Sequence, residues 1–189
     1  MLRRLLGIVI AVALVVIVWL RLPIRIFYRD GRPTRIGVLV NRVGAVYSAL
    51  GLPPAWWVTL ETRGRRSGRS VSTTLVIGSH EAENYLVSML GEESGWVRNV
   101  RAAGGQAVIH HGRRRSVVLE EVAPGQRAPI LRAYLRRARG ARAHIPVSPT
   151  APLAEFARIA ATYPVFRITR ATSRGQVRSH PGSPATISG

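Results

Sequence analysis

The sequence predicts a mainly β domain of the α+β class, a small antiparallel barrel or curled sheet with helical decoration, behind an N-terminal membrane helix. Three observations carry this expectation. Five short β-branched segments follow one another from Trp56 to Val122, each bounded by Gly, Ser or charge, which is strand punctuation. One short helical stretch interrupts them, so the crossover helices of a doubly wound parallel sheet are missing, as is any G-x-G-x-x-G fingerprint. Ahead of all this stands an apolar run of different character, Leu5 to Leu20.

The bulk numbers fit one such domain plus an appendage. The chain has 189 residues, and a hydrophobic share of 47% is ample for one core. Net charge is +19, from 28 basic and 9 acidic residues, and every basic residue is arginine. Codon usage accounts for the choice of arginine over lysine but not for the excess, which implies anionic partners. The absence of cysteine excludes disulfides, thiolate metal sites and cysteine nucleophiles. Five histidines without H-E-x-x-H spacing, and a single aspartate, make a metal site a poor expectation.

Taken in order, residues 1–23 read as a transmembrane anchor. As a helix the run is about 24 Å long, against a hydrocarbon core of about 30 Å, with Arg3, Arg4 and Arg21 able to reach the headgroups. A signal peptide lacks its A-x-A-like cleavage site here, and a buried core helix is the other alternative. Arg21, Arg25, Arg29, Arg32 and Arg35 follow the run, which places the remaining domain on the cytoplasmic side of the plasma membrane and offers contacts to membrane lipid. Residues 24–54 read as a linker, YRDGRPTR, and an amphipathic helix. Its apolar positions are Ile36, Val40, Val43, Tyr47 and Leu50, with Thr34 as N-cap.

Residues 55–170 form the barrel domain. Its strands are WWVTLET, STTLVIG, NYLVSML, QAVIHHG and RRRSVVLEEV. The inserted helix SGWVRNVRAAGG is capped by Ser94 and stopped by Gly104 and Gly105. A basic helix, APGQRAPILRAYLRRARGAR, a short helix, PLAEFARIAATYP, and a closing strand, PVFRITR, complete it. Residues 171–189 have the Ser/Gly/Pro composition of a disordered tail.

The chemistry concentrates in TRGRRSGRSVSTT, residues 62–74. Glycines let consecutive N–H groups form an anion-holding nest, and arginine binds phosphate or carboxylate in bidentate fashion. A solvated hairpin tip is the bland alternative. Ser72, Thr73 and Thr74 open the next strand, Ser88 to Gly91 end the third, and a helix begins at Ser94. Three loops at one barrel end would then converge on an elongated ligand with an anionic tail. Trp96 offers a flat surface for a ring and Asn99 an amide to read it; a core anchor and a helix-surface amide are the plain alternatives. GRRRS, at Arg113 to Arg115, reads as a solvated hairpin.

The order TxxGRRSGRxxxTTL, YLVSxxG and WVRNVRAAGGQAVI resembles the deazaflavin (coenzyme F420)-dependent nitroreductase family, over roughly Trp56 to Val122. The resemblance implies an FMN-binding-barrel-like split β-barrel. It implies that Arg65, Arg66 and Ser67 hold the cofactor's phosphate and oligoglutamate tail, and that Ser72, Thr73, Thr74 and Leu75 flank the deazaflavin. Val87, Ser88 and Met89 would lie over ring and linker, while Gly95, Trp96, Val97, Arg98 and Asn99 close the pocket. Val71, Thr74 and Met89 depart from the family's residues, and Tyr134 and Tyr163 are loose counterparts of its pocket tyrosines. The activity implied is hydride transfer from reduced F420 to a small, lipid-soluble acceptor such as a quinone or nitro compound, with Ser88 or a tyrosine as proton donor. FMN in place of F420 remains an alternative. So does a non-catalytic basic module on acidic lipid or nucleic acid, although aromatics interleaved with the arginines are scarce and nucleic acid is not expected. A homodimer is an expectation by analogy alone.

Overall fold

The computed structural model describes residues 28–29 and 32–171. The expected anchor over residues 1–23, the first part of the linker and the tail from residue 172 lie outside them. Among the described residues no helix is long and apolar enough to cross a membrane.

Two short strands, β1 (Tyr28–Arg29) and β2 (Arg32–Pro33), pair ahead of helix α1 (Arg35–Ala49). Thr34 caps α1 as expected, its Oγ1 accepting from Gly37 N at 3.1 Å. Six longer strands follow: β3 (Trp57–Arg63), β4 (Ser70–His80), β5 (Glu83–Val87), β6 (Gln106–His111), β7 (Arg113–Glu121) and β8 (Val165–Arg170). They close into an antiparallel barrel in the order β3-β4-β5-β8-β7-β6, with β6 returning to β3. Helix α2 (Gly95–Ala102) sits between β5 and β6, while α3 (Arg127–Arg137) and α4 (Leu153–Ile159) fill the long connection from β7 to β8. This is the expected α+β class with a split-barrel architecture.

Alternation within the strands fills the barrel. Val58 and Leu60 of β3, Leu86, Ala107 and Ile109, Val117 and Leu119, and Phe166 turn inward, and α2 adds Trp96, Val97 and Val100 to the same cluster. A second core lies outside the wall, where Ile130, Leu131, Tyr134 and Leu135 of α3 and Phe156 of α4 cover Tyr85, Val87 and Val165. Tyr134 packs close on β4 because Gly78 is there: a Cβ on Gly78 would come within 3.1 Å of the tyrosine ring. At the β6–β7 turn, Gly112 takes φ 63°, a conformation side chains resist.

Two expectations are corrected. The inward residues of α1 are Gly37, Gly44 and Ser48, whereas Ile36 and Leu50 of the expected apolar face are outward. Small residues let the helix lie close on the barrel, and closeness outweighs apolar bulk. Ser94 occupies the N-cap position of α2 but makes no side-chain capping bond; its hydroxyl lies 2.7 Å from Ser88 Oγ.

Two arginines acquire unexpected structural roles. Arg127, which opens the basic helix, is 3% exposed. It donates to Val122 O (2.7 Å), Ala160 O (3.2 Å) and Tyr163 O (3.4 Å) and pairs with Glu121 at 3.0 Å. Arg101 of α2 reaches the same carboxylate at 2.6 and 2.8 Å. The hydrogen bond from Arg101 is the main reason the Glu121 carboxyl is held below its ordinary range.

Candidate cofactor site

The β3–β4 connection folds as a compact turn. Gly64 N donates to Arg69 O (2.8 Å), Gly68 N donates to Gly64 O (2.7 Å), and Gly68 takes φ 66°. Ser67 Oγ accepts from Arg69 N at 3.3 Å, so the serine shapes the turn locally. Arg63, Arg65, Arg66 and Arg69 are all exposed, and none forms an ion pair among the described residues. Four uncompensated guanidinium groups on one turn make a strong anion-attracting field.

Asn99 fastens this turn to the barrel. Its Oδ1 accepts from both Arg65 N and Arg65 Nη1 at 3.3 Å, and its Nδ2 donates to Thr62 Oγ1 at 3.4 Å. The amide expected to read a ring thus positions the arginine turn against α2. Beside the turn a wide groove of about 1250 Å³ is bounded by Arg63, Arg65 and Arg114. Glu61, which also lines it, is ion-paired with Arg114.

An apolar cavity of about 70 Å³ lies between α1 and the wall at β4. Thr73, Thr74, Leu75, Val87, Met89 and Trp96 from the sequence reading all line it. The Trp96 ring is held edge-on to Phe166, with centroids 5.4 Å apart. Tyr134 lines it too, and complete burial pushes its phenol well above the ordinary value. Thr74 Oγ1 is buried with no hydrogen-bond partner, an arrangement that costs about 1–3 kcal/mol where nothing satisfies it. Its backbone N–H donates to Asn41 Oδ1 of α1 at 3.4 Å.

The remaining candidates stand elsewhere. Ser88 is 1% exposed, donates to Gly91 O at 2.8 Å, pairs with Ser94 and does not line the cavity. Ser72 is exposed on β4, Val97 is in the barrel core, Arg98 is ion-paired with Glu93, and Gly95 only begins α2. Sequence reading missed the fourth wall, made by Val40, Asn41, Val43, Gly44 and Tyr47 of α1. Its signal was a pair of glycines one heptad apart, Gly37 and Gly44, in a β-branched helix, which marks close packing. A Cβ at Gly44 would lie 2.3 Å from Thr74 Oγ1. Among the described residues no group of three or more His, Cys, Asp or Glu is placed to hold a metal ion.

A closed six-stranded barrel with an exposed arginine turn on one connection and an apolar cavity under α1 is the architecture these residues build. Residues 38–144, more than half the chain, match the model of the F420H(2)-dependent quinone reductases, and the chain belongs to that family. Among solved structures it is similar to an F420-H2 dependent reductase (FDR-A), at 18% identity and TM-score 0.39, covering 60% of this chain and 93% of that one. A second, described as an F420 reductase, matches at 14% identity and TM-score 0.39, covering 67% and 93%. A conserved hypothetical protein of Mycobacterium tuberculosis matches at 14% identity and TM-score 0.44, covering 77% and 85%. No curated protein matches the chain in sequence.

Proposed function

We propose that the protein is an F420H2-dependent oxidoreductase that passes a hydride to a small, lipid-soluble acceptor such as a quinone. Besides family membership, one observation supports this most. Thr74, with its buried and unsatisfied hydroxyl, stands in an apolar cavity on the strand that begins at the arginine turn. From Thr74 to Ser70 is about 13 Å along an extended strand, a distance a phosphodiester linker spans between a ring in the cavity and glutamates at the turn.

The residues fit the group. Reduced F420, when bound, supplies the hydride, so the protein need not provide a strong acid or base. Arg65 and Arg66 bind the anionic tail, and Asn99 keeps Arg65 in place. Leu75, Val87, Met89 and Trp96 exclude water from the ring. The Thr74 hydroxyl would supply a hydrogen bond to the group, since it is buried without a partner of its own. Tyr134, kept protonated across the neutral range, is the better placed proton holder than Ser88. Pockets for ligands of this size run to roughly 300–1000 Å³, so the cavity of about 70 Å³ would have to widen to take the ring. The apolar run at Leu5–Leu20 is the basis for tethering at the plasma membrane, where a quinone would be concentrated.

The test is a tryptophan-quench titration of the full chain with F420 and with FMN at two salt concentrations. Saturable binding of F420, tighter than FMN and lost in Arg65→Ala/Arg66→Ala, is expected. Preference for FMN would transfer the site to that cofactor, and salt-sensitive binding indifferent to the ring would leave only a basic surface.

A further inference from the structure

The outward side of α1 is apolar. Ile36, Leu39, Val46 and Leu50 are 51, 60, 61 and 66% exposed. With half-buried Val43 they alternate at steps of three and four, a single stripe along the helix. Exposed Leu52 and Trp56 follow in the chain. Arg35 and Arg42, both exposed, border the stripe one heptad apart, and no acidic residue occurs between Thr34 and Leu60. A surface helix of a water-soluble domain has the reverse arrangement, apolar residues inward and polar ones outward.

We propose that this face docks on an anionic phospholipid bilayer, with α1 lying in the plane of the interface. Charge complementarity selects this occupant over a second copy of the chain. Helices that pair through such a stripe are matched by opposite charges at its edges, and here both edge charges are arginine on a chain of net charge +19. An arginine-edged apolar stripe is what an acidic lipid surface takes up, the side chains entering the acyl boundary and the guanidinium groups meeting phosphates. The length of chain allows it: from Leu20 to Tyr28, where the β1–β2 hairpin begins, is a reach of at most about 28 Å when extended, so the upstream apolar run and α1 can share one surface. Docking also orients the domain, because the other side of the same helix lines the cavity. The cavity then lies between barrel and lipid.

The cysteine-free sequence makes the test clean. Full-length Val46→Cys and, as a control, Leu153→Cys, which replaces an exposed leucine on α4, each carry one environment-sensitive fluorophore. They are mixed with phosphatidylcholine vesicles with and without phosphatidylglycerol, some with brominated acyl chains. The label at 46 is expected to shift to the blue and be quenched on anionic vesicles, while the label at 153 stays in water. Arg35→Glu/Arg42→Glu should weaken that signal roughly tenfold or more, with thermal melts of all variants confirming the fold. A label at 46 that stays in water on vesicle-bound protein overturns the proposal, as does failure to bind vesicles. Shielding at 46 without lipid, in a protein that elutes as a dimer, assigns the face to a second copy. Cofactor binding is read separately and is independent of all three results.

Discussion

Replacing Gly44 by alanine asks α1 to carry a methyl where the barrel leaves no room. The new Cβ would lie 2.3 Å from Thr74 Oγ1, 3.1 Å from its Cγ2 and 3.2 Å from its Cβ. The hydroxyl is therefore about 1 Å inside ordinary contact. Alanine alone stabilises a helix by about 1 kcal/mol relative to glycine. Against this stands an overpacking cost of about 1–3 kcal/mol, near the upper end because Thr74 is locked in register opposite Thr59. Gly44→Ala should thus lose about 2 kcal/mol, read as a lower urea midpoint at unchanged slope. Thr74→Ala removes the two nearest atoms along with an unsatisfied hydroxyl. In that background Gly44→Ala should be neutral or stabilising, a coupling of about 2 kcal/mol. A raised midpoint for Gly44→Ala in the otherwise unaltered chain would mean that α1 is not seated on Thr74.

Asn99→Ala frees Arg65 from α2, and F420 affinity should fall about tenfold, as loss of one charge-assisted hydrogen bond implies; unchanged affinity in the quench titration would show that the turn holds its shape unaided. Ser88→Ala should cost about 1 kcal/mol of stability with turnover per folded molecule unchanged, whereas lost turnover in a folded variant would return Ser88 to the chemistry. Glu121 has its folded pKa depressed, chiefly by Arg101, so its contribution is complete above the unfolded carboxyl value of about 4.3 and is lost as pH falls through the lower folded value. Glu121→Gln should accordingly flatten the acid limb of stability against pH, and an unaltered limb would place the acid-sensitive group elsewhere.

The strands were legible because β-branched runs between glycines and charges have few other uses, and each barrel strand overlaps the run that marked it, although the third stops at Val87 instead of running on to Leu90. Thr73, Thr74, Leu75, Val87, Met89 and Trp96 were legible as a group only through the order of motifs, since strand ends far apart in the chain meet by barrel closure. The roles of Ser88 and Ser94 were not legible: a serine at a strand end and one at a helix start each suggest a local function, and only folding brings their hydroxyls within 2.7 Å. Arg127 was hidden among solvated arginines because its inward rotation depends on three carbonyls supplied by other segments. On α1, reading apolar residues as the inward face failed because the contact is made through glycine and serine.

Helix α1 is fastened to the barrel through its backbone. At its C-terminal end Ser48 O accepts from Gly112 N at 2.7 Å and from Gly51 N at 3.0 Å, and a Cβ on Gly51 would come within 3.0 Å of Gly112 Cα. Backbone is clamped to backbone there. Toward the other end Thr74 N donates to the Asn41 side chain at 3.4 Å. The backbone anchor of the helix is therefore the β6–β7 turn, whose Gly112 stands apart from the residues that line the cavity. Two glycines that do not line the cavity, Gly51 and Gly112, thus set how closely its α1 wall approaches the barrel, and a side chain at either would shift that wall.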